Sequence, residues 1–179
     1  MKYLCYGIAS WLLLPVALFQ GLRLRARTPR LAPPAGRPFG QVGSSPQPDY
    51  NLLVIGDSSA AGVGADSVEA TIGCQIAHSL HAATGSTVAW RNAGSNSAIS
   101  EQVRDHVGPN LERLPYSHIV LAVGTNDMKN FLTAKRFKRG FGGLLYAVKA
   151  RWPEAKIFWS PMIDMRNVPA FPAALAAIL

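Results

Sequence analysis

Four short apolar runs, Asn51 to Ile55, Thr87 to Trp90, Ile119 to Val123 and Lys156 to Trp159, are separated by stretches long enough to hold a helix, and this alternation constrains the fold more than any other feature of the chain. Asn51-Leu52-Leu53-Val54-Ile55 is apolar without a period of two and stops at a glycine, as a strand buried on both faces does. After it, Val68, Ile72, Ile76 and Leu80 recur every fourth residue, and Gly85 stands where a left-handed cap would end a helix. Ser97 is placed to cap a second helix bearing Ile99, Val103 and Val107. A third carries Phe137, Phe141, Leu144, Leu145 and Val148, although Gly140, Gly142 and Gly143 weaken it. Strand alternating with helix predicts an α/β fold, a parallel sheet covered on both faces with right-handed crossovers.

Charge divides the chain. Of its net +8, the first 48 residues hold six basic residues (Lys2, Arg23, Arg25, Arg27, Arg30 and Arg37) and no acid, whereas the rest balances 12 basic against 10 acidic residues. A near-neutral domain behind a basic arm argues against a nucleic-acid-binding face. From Tyr3 to Phe19 no residue is charged. As a helix this run would reach roughly 25 Å, marginal for a hydrocarbon core. No small-residue cleavage site closes it, so residues 1–22 are expected to be a membrane anchor or a signal-like helix. Four arginines follow the run and only Lys2 precedes it, which places the domain on the cytoplasmic side by charge bias, with a periplasmic or secreted placement still open. Residues 23–48 read as a basic, extended linker, since 28–49 contain six prolines and three glycines and little to bury. The domain is expected over 49–179. Cys5 and Cys74 imply no disulfide framework.

In parallel sheets ligands bind beyond the carboxyl ends of the strands. Three small, polar, glycine-bearing loops are expected there: Gly56-Asp57-Ser58-Ser59, Asn92-Ala93-Gly94-Ser95 and Gly124-Thr125-Asn126-Asp127. A serine at a strand-to-helix turn projects its hydroxyl from the sheet edge, which suits Ser58 to nucleophilic attack. The backbone amides of Ser58 and Gly94 and the side-chain amide of Asn126 are candidates to hold an oxyanion. Each loop alone is ordinary turn chemistry. In order and spacing, however, GDSSAAGVG, NAGSNS and GTND resemble the first three sequence blocks of the SGNH, or GDSL-type, hydrolases, from about Asn51 to Pro161. The resemblance implies a three-layer flavodoxin-like sandwich, here preceded by an N-terminal apolar helix. It also implies hydrolysis of carboxylic esters or related acyl bonds, with small-molecule, lipid or carbohydrate esters as substrates and no metal or cofactor. Ser58 would be the nucleophile, Gly94 and Asn126 the oxyanion residues, and Gly56, Asp57, Gly124 and Asp127 their support.

The family's fourth block, Asp-x-x-His, supplies the base, and this chain has none. Three residues beyond Asp49, Asp57, Asp66, Asp105, Asp127 and Asp164 stand Leu52, Ala60, Glu69, Gly108, Asn130 and Asn167. His118 should open the third run, roughly 17 Å of strand from the rim. His78 and His81 should lie well along the first helix, and His106 should close the second, away from the rim. Losing a triad member leaves a serine hydrolase only a residual rate, about 10³ to 10⁴ over water. The uncapped apolar ending, Phe171 to Leu179, suggests a helix cut in mid-course and a histidine further on. The rival expectation is an inactive acyl- or carbohydrate-binding module that has lost its base, and a weaker one a nucleotide or flavin binder on the same fold. Lys135 to Arg139 reads either as a solvated face or as a contact for anionic lipid. Asp57 and Asp127 as magnesium ligands are disfavoured, because no further carboxylate or histidine joins them.

Overall fold

Leu52, Leu53, Val54 and Ile55 are all at most 2% exposed, which makes their strand the centre of the molecule. The structure, a computed structural model, describes residues 29–160 without a break, together with 15, 16, 18–24, 26, 27, 162, 164, 167, 168 and 172. Five strands, β1 (Phe39–Val42), β2 (Tyr50–Gly56), β3 (Val88–Gly94), β4 (His118–Ala122) and β5 (Lys156–Trp159), form one sheet in the order β1-β3-β2-β4-β5. β2 runs parallel to both β3 and β4, and β4 parallel to β5. Alternate residues of β2 serve two cores. Leu52 and Val54 join Val88 and Trp90 against Cys74 and Ala77 of helix α1 (Ile72–Thr84). Leu53 and Ile55 join Ile119 and Leu121 on the other face. That face is covered by Val103, beside the short helix α2 (Ser100–Gln102), and by Leu144 and Val148 of the long helix α4 (Ala134–Arg151). A one-turn helix α3 (Thr125–Lys129) follows β4.

The sheet is mixed rather than wholly parallel. β1, inside the segment expected to be an extended linker, pairs antiparallel with β3, Phe39 opposite Arg91 and Val42 opposite Val88. Two features permit this in a stretch rich in proline and glycine. Pro38 needs no ladder donor of its own there and its carbonyl accepts from Asn92 N at 2.7 Å. A Cβ on Gly40 would lie 3.0 Å from the Trp90 ring, so glycine lets the edge strand lie flat on that indole.

Helix boundaries also shift from expectation. α1 begins at Ile72, because Val68 closes a turn in which Thr71 N donates to its carbonyl at 3.1 Å. Gly85 ends α1 as expected, at φ 71°, its N–H bonded to His81 O at 2.7 Å. Ser97 caps nothing. It sits at φ 64°, and the helix starts three residues later behind Ile99, running on from α2 as a π turn over Val103–Val107.

Residues Leu31–Met162 form one compact unit, and Met1–Arg30 with Ile163–Leu179 group as another. Within the second, residues 18–24 are helical and Asn167 N donates to Asp164 O at 3.0 Å. The expected span from Tyr3 to Phe19 lies largely outside the described residues. Among the described residues no helix is long and apolar enough to cross a membrane.

Candidate active site

The three loops do meet at one end of the sheet, and two glycines make their approach possible. A Cβ on Gly56 would fall 2.0 Å from the carbonyl oxygen of Ala122, and one on Gly94 would fall 2.2 Å from Asp57 O and 2.5 Å from Ala61 N. Asp57 N donates to Ala122 O at 3.0 Å and Ser95 N to Gly56 O at 3.1 Å, so the ends of β3, β2 and β4 are held level. Gly94, an expected oxyanion donor, also serves packing, since its lack of a side chain lets β3 approach the turn after β2.

That turn is built on Asp57, which is 2% exposed. Its Oδ1 accepts from Ser59 N at 2.9 Å and from Ser59 Oγ at 2.6 Å, while Oδ2 accepts from Asn126 Nδ2 at 3.1 Å. One carboxylate therefore fastens its own turn and the loop after β4 together. Asn126, also buried, donates its second amide proton to Ala98 O at 3.1 Å and accepts at Oδ1 from Lys129 Nζ at 3.3 Å. Both amide protons thus have protein acceptors. Gly124 adopts φ 120°, a conformation L side chains rarely take, and a Cβ there would meet Met162 at 2.9 Å.

Ser58 differs from its neighbours. It is half-buried, and its carbonyl is fixed by Val63 N at 2.9 Å. Among the described residues neither its hydroxyl nor its N–H has a hydrogen-bond partner. Its carbonyl is anchored while its two donors are unbonded among the described residues. Asp127 does the opposite. It is buried against Ser100, whose N donates at 3.0 Å and whose hydroxyl donates at 3.1 Å to Oδ2, so it ties helix α2 to helix α3. Burial raises its pKa above the usual carboxylate value, the Ser100 bonds oppose that rise, and the charge of Asp57 adds to it.

No histidine completes this arrangement. All four lie among the described residues, and none is hydrogen-bonded to Ser58. His118 opens β4 at the far end of the sheet, its Nδ1 2.9 Å from Ser117 Oγ and its ring stacked on Phe158. His81 closes α1 against Ser86 O at 2.7 Å, and His78 is exposed on the same helix. His106, expected away from the rim, lies in the π turn Val103–Val107 beside β3. There it lines an open cavity of about 480 Å³ together with Pro34, Pro38, Ala61, Gly94 and Ser95. Among the described residues no three histidine, cysteine, aspartate or glutamate side chains gather to hold a metal.

Two partnerships escape the sequence. Asp57 to Ser59 carries a local signal, an aspartate two residues before a serine in a turn. Ser100 to Asp127 carries none, because 27 residues separate them.

The sequence profile of the GDSL-like lipase/acylhydrolase family matches residues 54–178. No curated protein matches the chain. Among solved structures, AlinE4, an SGNH-hydrolase family esterase, superposes with a TM-score of 0.54 at 20% identity over 64% of this chain and 60% of its own. The psychrotrophic esterase EstA from Pseudoalteromonas sp. gives 0.51 at 18% identity, over 73% of this chain and 72% of its own. A carbohydrate esterase family 2 enzyme with its carbohydrate-binding domain, from Corynascus thermopiles (Myceliophthora fergusii), gives 0.51 at 17% identity, over 72% and 50%. The chain therefore spans less than two thirds of AlinE4 and half of the Corynascus enzyme. At such identities the likeness is one of fold.

Proposed function

Since this chain belongs to the GDSL-like lipase/acylhydrolase family, we propose that its sheet end is a serine ester-hydrolase site with Ser58 as the nucleophile, on the flavodoxin-like three-layer arrangement that helices on both faces of the sheet support. The observation that carries this reading is the contrast at the first turn. Asp57 and Ser59 satisfy each other, and between them the hydroxyl and N–H of Ser58 are left without partners among the described residues.

In the proposed reaction Ser58 Oγ bonds to the ester carbonyl carbon and the carbonyl π pair moves onto oxygen. The backbone N–H groups of Ser58 and Gly94 stabilise that oxyanion, and Asn126 joins them by sharing an amide proton now directed at Ala98 O or Asp57. Collapse expels the alcohol, and water then releases the acid from the acyl-serine. Gly56, Asp57, Gly124 and Asp127 act indirectly, by holding the three strand ends together. The serine proton passes to an imidazole base, which returns it to the departing alkoxide; no imidazole of this chain is hydrogen-bonded to Ser58, so the base is supplied from solution in the test that follows. The substrate class is a carboxylic ester or related acyl bond, with no metal or cofactor taking part.

Hydrolysis of p-nitrophenyl acetate in the presence of added imidazole tests this. Imidazole replaces the missing base, and the same protein carrying Ser58→Ala subtracts the uncatalysed and imidazole-only rates. The proposal requires the imidazole-stimulated excess to vanish with the hydroxyl; equal rates for both proteins defeat it.

A second reading is an inactive acyl- or carbohydrate-binding module, favoured by the fact that none of the four histidines of this chain is hydrogen-bonded to Ser58. It expects no Ser58-dependent hydrolysis at any imidazole concentration, with saturable binding of an acyl or sugar ligand that survives Ser58→Ala.

A further inference from the structure

Between Asp127 and Glu154 the chain carries seven basic residues and no acid. Most of this charge falls on one side of α4. Gly140, Leu144 and Val148 are buried on the inner face. At 100° per residue, Lys135, Lys138, Arg139, Gly142, Tyr146 and Lys149 fall on the side opposite them. Arg136, on the flank, pairs with Glu101 at 3.6 Å. Among the described residues Lys135, Lys138 and Arg139 have no carboxylate partner. The placement is unfavourable for the helix itself. Cations gather in the first two turns, with no acid there to complement the positive end of the helix dipole. Lys149 serves the fold by donating to Pro153 O and Ala155 O at the helix end, whereas Lys135, Lys138 and Arg139 have no such role among the described residues.

Large apolar groups lie exposed along the same segment. Tyr146 is 77% and Leu145 39% exposed, and Phe131, just before the helix, is 59% exposed. Phe131 is held at φ 53°, unusual for a side chain of that size, with its N–H fixed to Met128 O at 2.8 Å. Cations mixed with exposed aromatic and aliphatic groups suit an interface that is anionic at its surface and oily beneath. A purely charged polymer would use the cations and leave Phe131, Leu145 and Tyr146 in water.

We propose that the outer face of α4, with Phe131 at its leading end, docks on an anionic lipid bilayer. The helix follows directly on the loop that carries Asn126, so docking brings the bilayer to the side of the domain that holds that loop. The binding stands apart from the hydrolase reading, since neither Ser58 nor a reaction is needed to observe it.

The probe is a nitrobenzoxadiazole group on Gly142→Cys in the full chain, where an added side chain meets nothing within 4 Å. Cys5→Ser leaves the introduced cysteine and Cys74, which is buried, as the thiols of the chain. Titration with phosphatidylglycerol/phosphatidylcholine vesicles should shift the emission to the blue, and pure phosphatidylcholine should not. Replacing Lys135, Lys138 and Arg139 together by glutamine should raise the half-saturating lipid concentration about a hundredfold. Phe131→Ser should raise it by a smaller factor, and an unchanged circular dichroism melt shows that both variants are folded. A probe that stays in water while the chain sediments with vesicles overturns the proposal, because binding then runs through another segment. Equal shifts on neutral vesicles overturn it too. If heparin gives the same shift and Phe131→Ser leaves vesicle binding unchanged, the face belongs to a soluble polyanion instead.

Discussion

The two ends of the sheet treat their polar groups in opposite ways. At the amino ends of β2 and β4, Ser117 Oγ accepts from Asn51 N at 3.0 Å and donates to Asn51 O at 3.2 Å, and Asp49 accepts from Thr87 N at 2.8 Å. His118 lies there against Ser117, Tyr50 and Phe158. At the carboxyl ends Asp57, Ser59, Asn126 and Asp127 are as fully bonded, yet they surround Ser58, whose donors have no partner among the described residues. An unpaired donor is costly to bury and cheap to leave facing solvent. One end is closed for stability, and the other is rigid around Ser58, whose hydroxyl and N–H are both unbonded among the described residues.

The contrast can be broken in order of severity. Gly56→Ala would drive a methyl group against the Ala122 carbonyl in the central strand, where neither backbone can yield; urea unfolding should show a loss of about 3 kcal/mol or more. Asp57→Asn leaves one amide oxygen to serve both Ser59 and Asn126, so one side of the site loses its acceptor. Stability should fall by about 2 kcal/mol, together with any Ser58-dependent hydrolysis. Ser117→Ala, at the closed end, should cost about 1 kcal/mol and leave hydrolysis untouched. A result in which Ser117→Ala harms catalysis as much as Asp57→Asn does would erase the distinction.

The smallest effect concerns pH. Burial, followed by the charge of Lys156, holds the His118 pKa below its ordinary 6.5. As pH falls the unfolded chain takes up this proton before the folded one does. The stability is complete above pH 6.5 and is lost as pH falls from there towards the folded value. The melting temperature of the protein relative to that of His118→Phe, measured across that interval, should fall as acid is added. A gap that stays constant would mean that the ring is not desolvated as described.

How far the sequence discloses all this depends on the range of each interaction. β2, β4, β5 and the Gly85 cap are legible because their signals are local: apolar runs ending at turns, and a glycine at the helix end. β1 is not, since Phe39 to Val42 become a strand only on meeting Val88 to Arg91, which lie far along the chain. Val68 keeps the helical period and packs against the α1 core, yet belongs to a turn, so periodicity reported burial and not conformation. Ser97 and Ser100 show the same limit. Either could cap a helix by type, yet neither does: the helix starts at Ser100 behind Ile99, and the Ser100 hydroxyl is taken up by buried Asp127. Ser58, Gly94 and Asn126 are brought to one rim as their motifs suggest. The saturation of both Asn126 amide protons and the presence of His106 on the cavity wall depend on tertiary neighbours that no motif encodes.

The account turns on whether residue 58 is the reactive group of that rim. Incubation with an organophosphate ester in the presence of imidazole, followed by peptide mass spectrometry, reads this directly. A single covalent phosphoryl adduct on Ser58, absent in Ser58→Ala, is the predicted result; an adduct on Ser59 or Ser95 in its place, or none anywhere, contradicts it.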